Sequence, residues 1–303
     1  MGLKGIKSNG LEFITMSRIL VTGSNSGIGF ASAIALATAG HQVFACMRSL
    51  GKGKELKAAA EARKLPITTW QMDVDSASVE STIAEIMAKH GPVDVLVNNA
   101  GIERRGSVEE LPLDEFRATM ETNYFGVIRC IKAVLPAMRK NRNGCIINVS
   151  SVSGKISSPP LGAYAASKFA VEALSEALAQ EVKPFGIRVM LVEPGIIDTP
   201  MARRISEDEN KSLYPDTRRF AAMFATALSH PVSPDLVAGK IREVIESGTW
   251  KFRHPVGPDS EPLLQWRASM SDEDWINWGA QSDSEWYASF ERTFGVKIDP
   301  PKG

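Results

Sequence analysis

The sequence predicts an α/β protein in which helices cover both faces of a doubly wound parallel sheet. From Arg18 onward, short apolar runs alternate with helix-like patterns along the 303-residue chain. The apolar runs are nearly continuous, as expected for parallel strands that are buried on both faces. Right-handed crossovers then wind these strands into one open sheet. No repeat, low-complexity tract or linker-like stretch precedes residue 195, so we expect a single domain.

Glycines bound the first strand and the first helix. Residues 18–22 form a short apolar strand that stops at Gly23, and the helix-like run 30–39 stops at Gly40. The same alternation continues to residue 192. It predicts further strands at 42–47, 67–72, 93–97, 145–149 and 187–192, and helices at 54–64, 76–90, 114 to about 140, and about 163–182.

The pattern changes after Pro194 and Gly195. Residues 196–230 are charged and irregular, which predicts a loop. Its arginines would suit an anionic ligand or, as we favour, a solvated face; they are Arg203, Arg204, Arg218 and Arg219. A helix at 234–247, capped by Ser233, and a strand at 250–256 complete this part of the chain.

The last 45 residues hold four of the six tryptophans, at positions 266, 275, 278 and 286. Two helix starts are predicted there, at Ser271 and at Ser282, the second with the Ser-x-x-Glu capping box. A free tail of this kind would expose a large apolar patch. We therefore expect short helices that pack against residues 196–230 and form a pocket wall or a subunit contact. The alternative is a tail that only completes the core.

The charge and the cysteine content exclude several classes of protein. The 35 basic and 35 acidic residues cancel, which argues against nucleic acid or an anionic membrane surface as a partner. No signal peptide or run of roughly 20 apolar residues is present, so we expect a soluble, cytoplasmic protein. The three cysteines and four histidines lack metal-ligand or redox spacing, which predicts buried thiols and no metal site.

A glycine-rich turn follows the first strand. The segment Thr22-Gly-Ser-Asn-Ser-Gly-Ile-Gly29 opens a helix, where glycines allow backbone N–H groups to approach a pyrophosphate. Three residues separate the first two glycines, unlike the usual G-x-G-x-x-G spacing, and the turn alone could be an ordinary strand-to-helix connection. Its place after the first strand favours a dinucleotide site.

The end of the second strand bears on the choice of dinucleotide. An acid about 20 residues past the glycines would hold a ribose 2′-hydroxyl, whereas arginine suits a 2′-phosphate. Met47 lies where the acid is expected, Arg48 follows it, and no acid occurs from Val43 to Lys54. Although Arg48 could be only a solvated charge, this pattern favours NADP(H) over NAD(H).

Tyr164 and Lys168 lie four residues apart on a predicted helix, so their side chains share one face. An ammonium group near a phenol favours the phenolate and lowers the phenol pKa, as would the positive ring of an oxidised nicotinamide. The tyrosine could then exchange a proton with a carbonyl oxygen. The pair alone has low specificity because this spacing occurs by chance in many helices.

Taken together, these residues resemble the short-chain dehydrogenase/reductase superfamily over roughly residues 18–257. The resemblance rests on an ordered set of motifs: Thr22 to Gly29, Asp73-Val74, Asn98-Asn-Ala-Gly101, Asn123, Ser150-Ser151, Tyr164 with Lys168, and Pro194 to Thr199. It implies a Rossmann-type dinucleotide-binding catalytic domain at 18–257, with a substrate loop at about 196–230. Extensions at 1–17 and 258–303 flank this domain.

The resemblance also implies a role for each motif residue. Ser151, Tyr164, Lys168 and Asn123 would be catalytic, with Ser151 preferred to Ser150 as the donor to the substrate oxygen. Lys168 would also hold the nicotinamide ribose, and Asn123 would position a water of a proton relay. Cofactor contacts are implied for Gly23, Ser24, Ser26, Gly27, Ile28, Gly29, Arg48, Asp73, Val74, Asn98, Ala100, Gly101, Tyr164, Lys168, Pro194, Gly195, Ile197 and Thr199.

The implied activity is NADP(H)-dependent hydride transfer to a small-molecule carbonyl, reversible with a secondary alcohol, in a homodimer or homotetramer. Two alternatives stay open: an NADP(H) sensor without turnover, and enoyl reduction, dehydration or epimerisation on the same fold. The complete set of catalytic residues argues against a sensor. Ser26 stands where NADP-binding relatives usually have a basic residue, which weakens the cofactor assignment but leaves the reaction class unchanged.

Overall fold

The computed structural model describes residues 16–207 and 212–300. These residues form a seven-stranded, fully parallel sheet with the order β3-β2-β1-β4-β5-β6-β7. The strands are β1 (Arg18–Thr22), β2 (Gln42–Met47), β3 (Ile67–Gln71), β4 (Val95–Asn98), β5 (Gly144–Val149), β6 (Ile187–Pro194) and β7 (Arg253–Val256). The order reverses between β1 and β4, which confirms the predicted doubly wound sheet.

Helices on both faces bury the sheet. They are α1 (Gly27–Thr38), α2 (Lys54–Ala62), α3 (Val79–His90), α4 (Leu113–Met120), α5 (Gly126–Asn141), α6 (Gly162–Val182), α7 (Pro200–Ser206), α8 (Asp216–Leu228), α9 (Pro234–Glu246), α10 (Ser260–Ala268), α11 (Asp272–Gly279) and α12 (Asp283–Phe294). Two apolar cores result, one on each side of the central strands. The cysteines, Cys46, Cys130 and Cys145, are free thiols buried in these cores, as predicted.

Two regions differ from the sequence prediction. The helix expected from 114 to about 140 is interrupted by one π-helical turn, Glu121–Phe125, between α4 and α5. The described part of 196–230 is largely helical rather than irregular, since it contains α7 and α8. Residues 208–211 of this segment and 1–15 of the N-terminal extension lie outside the described residues. Within the described residues, no helix is long and apolar enough to span a membrane.

The tail forms three helices at the carboxyl edge of the sheet. Ser271 caps α11, and Ser282 with Glu285 forms the predicted capping box of α12. Trp286 and Phe290 of α12 pack against Ala222 of α8. The expected contact between the tail and residues 196–230 is therefore present.

Candidate active site

The glycine-rich turn after β1 has backbone geometry that side chains would disturb. Gly23 and Gly27 have φ values of +67° and +55°, in the left-handed region that favours glycine. A Cβ on Gly29 would lie 2.3 Å from the carbonyl oxygen of Gly23, so this glycine allows α1 to begin directly against the turn. The turn therefore leaves the backbone at the start of α1 accessible to a bulky anionic group, which fits a dinucleotide pyrophosphate.

The turn is braced by the strand beside it. Thr22 Oγ1 accepts hydrogen bonds from the N–H groups of Asn99 (3.0 Å) and Ala100 (2.9 Å). Asn99 Nδ2 in turn donates to the carbonyl oxygens of Thr22 (2.9 Å) and Gly23 (3.2 Å). Asn99 was not predicted as a site residue, although it lies within the motif from Asn98 to Gly101.

Three residues expected to contact the cofactor lie outside the cavity lining. Ser24 is fully buried and donates to the carbonyl oxygen of Val21, and Asn98 Nδ2 donates to Asn148 Oδ1 at 2.8 Å. Asn98 therefore joins β4 to β5 in the central sheet rather than lining the cavity. Gly29 lies outside the lining as well and contributes only through the close packing described above.

One cavity of about 860 Å³ joins all the other predicted residues except Asn123. Its volume lies within the range typical of small-molecule and cofactor sites. It is lined by Gly23, Ser26, Gly27, Ile28, Arg48, Asp73, Val74, Ala100, Gly101, Ser151, Tyr164, Lys168, Pro194, Gly195, Ile197 and Thr199. Lys52, which sequence reasoning missed, also lines the cavity, four residues after Arg48, and adds a second positive charge to the lining.

Ser151 lies close enough to Tyr164 to affect the pKa of its phenol. Ser151 Oγ accepts from the N–H of Ser153 (3.1 Å), which leaves its own proton free to donate. Desolvation raises the pKa of Tyr164 to about 12, the hydrogen bond from Ser151 acts in the opposite direction, and negative Glu103 raises the pKa further. In the protein without cofactor, the pKa of Tyr164 is therefore raised rather than lowered as expected, because desolvation is the largest cause. A phenol with this pKa is neutral near pH 7.

Lys168 is almost completely buried and points along the helix face of Tyr164. Its Nζ lies 5.6 Å from the centre of the Tyr164 ring and donates to the carbonyl oxygen of Val149 at 2.8 Å. Burial lowers the pKa of Lys168 to about 8, and the negative charge of Glu172 opposes this shift. The ammonium keeps two further protons for other acceptors.

Asn123 lies in the π-helical turn, outside the cavity lining. Its Oδ1 accepts from the N–H of Ile102 (2.8 Å), and its Nδ2 donates to the Ile102 carbonyl oxygen and to Ser167 Oγ (both 2.9 Å). Single π turns inside α-helices occur frequently at functional sites. Here the turn is tied to Ile102 in the segment after β4 and to Ser167 of α6, the residue before Lys168.

The other half of the cavity is apolar and aromatic. Leu161, Ile205 and Phe220 pack around Tyr164, and Met223 links this cluster to that of the tail. The chamber wall beyond them consists of Leu263, Trp266, Trp275, Ile276, Trp278, Trp286 and Phe290. Trp275 and Trp278 stack at 5.5 Å as the predicted single face of α11. The tail therefore walls the cavity.

The arginines of residues 196–230 divide between the surface and the cavity. Arg203 is exposed and pairs with Asp198, as a solvated face would. Arg204 lines the cavity, and Arg219 is buried with Asp283 at 2.7 Å. Glu103, another lining residue missed from the sequence, has its pKa raised by burial despite its ion pair with Arg105.

The fold and this cavity define the class of protein: an α/β oxidoreductase. The short chain dehydrogenase family matches residues 17–210. A 3-ketodihydrosphingosine reductase of Bacteroides thetaiotaomicron is 38% identical over 244 residues, which cover 79% of this chain and 87% of that protein. Retinol dehydrogenase 8 of Bos taurus is 38% identical over 266 residues, or 82% and 84% of the two chains.

Solved structures agree with these sequence relatives. A short-chain dehydrogenase from Streptomyces avermitilis superposes with a TM-score of 0.72 at 31% identity, covering 88% of this chain and 99% of that one. An actinorhodin polyketide ketoreductase solved with NADPH gives a TM-score of 0.71 at 30% identity, covering 79% and 95%. The chain belongs to the short-chain dehydrogenase family.

Proposed function

We propose that this protein is an NADP(H)-dependent reductase of apolar ketones or aldehydes that also oxidises the corresponding secondary alcohols. The observation that carries the proposal is a single cavity whose lining includes both the basic residues Arg48 and Lys52 and the aromatic chamber. Ser151, Tyr164 and Lys168 line the same cavity. The Streptomyces relative and the NADPH-bound ketoreductase share this fold.

Tyr164 would donate the proton and Ser151 would hold the carbonyl oxygen. A bound nicotinamide supplies the hydride in reduction and takes it up in oxidation. The hydroxyl of Ser151 would donate to the substrate oxygen, and Tyr164 would pass its phenolic proton to that same oxygen. Lys168 would stabilise the phenolate left behind, because its ammonium lies on the same helix face. The hydrogen bond from Asn123 to Ser167 would hold α6 in the position that places Lys168 beside Tyr164.

The proposed cofactor preference depends on Arg48 and Lys52, which would hold a 2′-phosphate. A nearby carboxylate would repel that phosphate. Gly23 and Gly27 would admit the pyrophosphate, while Asp73 and Val74 would lie beside the adenine.

We expect Arg48→Asp to move the ratio of kcat/KM for NADPH over NADH toward NADH by about 10- to 150-fold. This range corresponds to the loss of one hydrogen bond to a charged group, and the new repulsion adds to it. The measurement is steady-state kinetics with both cofactors. Lys54→Asp, a charge reversal on the same segment but outside the cavity lining, should leave the ratio unchanged. A wild-type enzyme that prefers NADH would contradict the cofactor assignment.

The aromatic chamber favours an apolar substrate. Its lining beyond Tyr164 consists mainly of aromatic and aliphatic side chains, and burial of apolar area contributes roughly 25 cal/mol per Å². The two sequence relatives are named for 3-ketodihydrosphingosine and for retinol. A panel of carbonyl compounds of increasing apolar size, followed by NADPH absorbance, tests this proposal. A preference for small, charged carbonyls would overturn it.

The predicted homodimer or homotetramer stays a prediction. Light scattering of the purified full chain would measure the oligomeric state directly.

A further inference from the structure

Two carboxylates are buried directly behind the active site. Glu172 of α6 is 4% exposed and Glu193 of β6 is 1% exposed. Arg253 of β7 approaches both, with its Nε 3.1 Å from Glu172 and 3.6 Å from Glu193, and its Nη2 binds the exposed Glu176 at 3.2 Å. One guanidinium therefore faces three acids, and this group of four residues is called the acid cluster below.

The acid cluster contains fewer donors than its carboxylates require. Glu172 Oε1 and Glu193 Oε1 are both buried, and neither has a hydrogen-bond donor of its own. Buried polar atoms without a partner are costly, and an ionised carboxylate can only accept. A proton shared between Glu172 and Glu193 would give these oxygens a donor, and a hydrogen bond between the two carboxyls is among the causes that raise the pKa of Glu193.

The acid cluster is close to the catalytic residues. Glu172 follows Lys168 by one turn of α6, and its charge acts on the Lys168 ammonium. A Cβ on Gly154 would lie 2.9 Å from Glu172 Cγ and 2.6 Å from Ser150 Oγ, so the turn after Ser151 packs directly on Glu172. The carboxylate is thus held between the serine segment and the lysine helix.

We propose that Glu172 is a positioning residue for proton transfer at Tyr164: it shares a proton with Glu193 and keeps Lys168 in the ammonium form. This inference rests on the proposed function, since it requires Tyr164 and Lys168 to act as the proton donor and its charged neighbour. Arg253 holds the pair in place from β7, at the edge of the sheet.

The titration of the cluster follows from its charges. Burial raises the pKa of Glu193 to about 7, the charge of Glu172 and the hydrogen bond between the two carboxyls act in the same direction, and Arg253 and Lys155 oppose them. Glu193 therefore loses its proton as the pH rises through about 7. Because Lys168 has a lowered pKa of about 8, activity that needs its ammonium is lost as the pH rises through that value.

The variant Glu172→Gln removes the negative charge beside Lys168, so the pKa of Lys168 falls further. We expect the alkaline limb of the kcat pH profile to move to lower pH by about one unit. The variant Glu193→Gln still offers a hydrogen-bond donor to Glu172. It should move the alkaline limb in the same direction as Glu172→Gln but by a smaller amount. The matched control is Glu176→Gln, an exposed acid on the same arginine, which should leave the limb in place.

Infrared spectroscopy of the full-length protein without cofactor gives a second readout. The carbonyl stretch of a protonated carboxylic acid should disappear as the pH rises through about 7. This band should be missing from the Glu193→Gln difference spectrum and present for Glu176→Gln. If Glu172→Gln does not fold, the proposal is tested by the carbonyl band and the alkaline limb of the kcat profile measured for Glu193→Gln.

Any one of three results would overturn the proposal. In the first, the alkaline limb of Glu172→Gln stays at the wild-type pH; in the second, Glu193→Gln keeps both the wild-type limb and the carbonyl band. In the third, Glu176→Gln moves the limb as far as Glu172→Gln does. They are distinct from failure of the proposed function. An enzyme that depends on Tyr164 but shows one of these results loses only the role of the acid cluster.

Discussion

Tyr164→Phe should lower kcat for carbonyl reduction by about 10²- to 10⁴-fold, the usual contribution of a positioned general acid. The substitution removes only the hydroxyl, while the ring keeps its packing against Leu161 and Phe220. The dissociation constant of NADPH should therefore change little, because the glycine turn and Arg48 are untouched. Stopped-flow absorbance for turnover and fluorescence titration for binding measure the two quantities separately.

The control is Tyr124→Phe, which removes a hydroxyl from a tyrosine of the π-helical turn outside the cavity lining. Its kcat should stay close to that of the wild type. If Tyr164→Phe retains most of its activity, Tyr164 is not the proton donor, whatever the cofactor. Loss of NADPH binding together with turnover would instead mark Tyr164 as mainly a binding residue.

The sheet was predictable because its signal is local. Each inner strand is an apolar run bounded by a turn, as β1 shows between Arg18 and Gly23, so burial on both faces can be recognised without knowing the neighbours. The helix starts at Ser271 and Ser282 were predicted for the same reason, because an N-terminal cap depends on residues only three apart.

The two helices within residues 196–230 were missed because their partners are distant in the sequence. From the sequence of α8 alone, Arg219 is expected to lie on a charged surface that faces solvent. In the structure it is buried by Asp283 and by the carbonyl oxygens of Gly279 and Gln281, about 60 residues further on. Trp286 covers the same guanidinium at 5.7 Å. Tertiary packing therefore determines this part of the fold.

The candidate site shows the same division. Positions that belong to short motifs, such as Gly27, Ser151 and Lys168, could be named from spacing and resemblance. The pKa of Tyr164 and the acid pair of Glu172 and Glu193 could not, because both depend on burial. In the sequence, Glu172 is one of several acids on a helix, and only the structure shows that Gly154 and Arg253 enclose it.

The tail provides the second test with a large expected effect. A chain that ends at Ser269 lacks α11 and α12 but keeps α10, whose Ser260 donates to the carbonyl oxygen of Glu193. It also keeps Asp259, which accepts from the N–H of Ile196 beside the cofactor half of the cavity. Any effect of this truncation therefore comes from α11 and α12, which supply the aromatic wall and the hydrogen-bond partners of Arg219, rather than from these anchors.

Removal of α11 and α12 should lower kcat/KM for apolar carbonyl substrates by at least about tenfold, which corresponds to about 1.4 kcal/mol of lost transition-state binding. Trp275 and Trp278 would no longer line the chamber, and the hydrogen bond from Trp275 Nε1 to the carbonyl oxygen of Ser157 would be lost. NADPH affinity should persist, because its proposed contacts lie before residue 200. The melting temperature should fall, since Ala222 and Met223 lose their cover.

Comparison of two substrates separates a pocket wall from a tail that only completes the core. If the tail walls the pocket, a large apolar ketone should lose much more kcat/KM than a small soluble aldehyde in the truncated enzyme. If the tail only completes the core, both substrates should lose the same factor, because misfolded protein reduces every activity equally. Trp250→Ala, which removes an exposed tryptophan far from the cavity lining, should change neither ratio nor melting temperature. Unchanged kinetics, melting temperature and oligomeric state in the truncated chain would show that the tail has neither role.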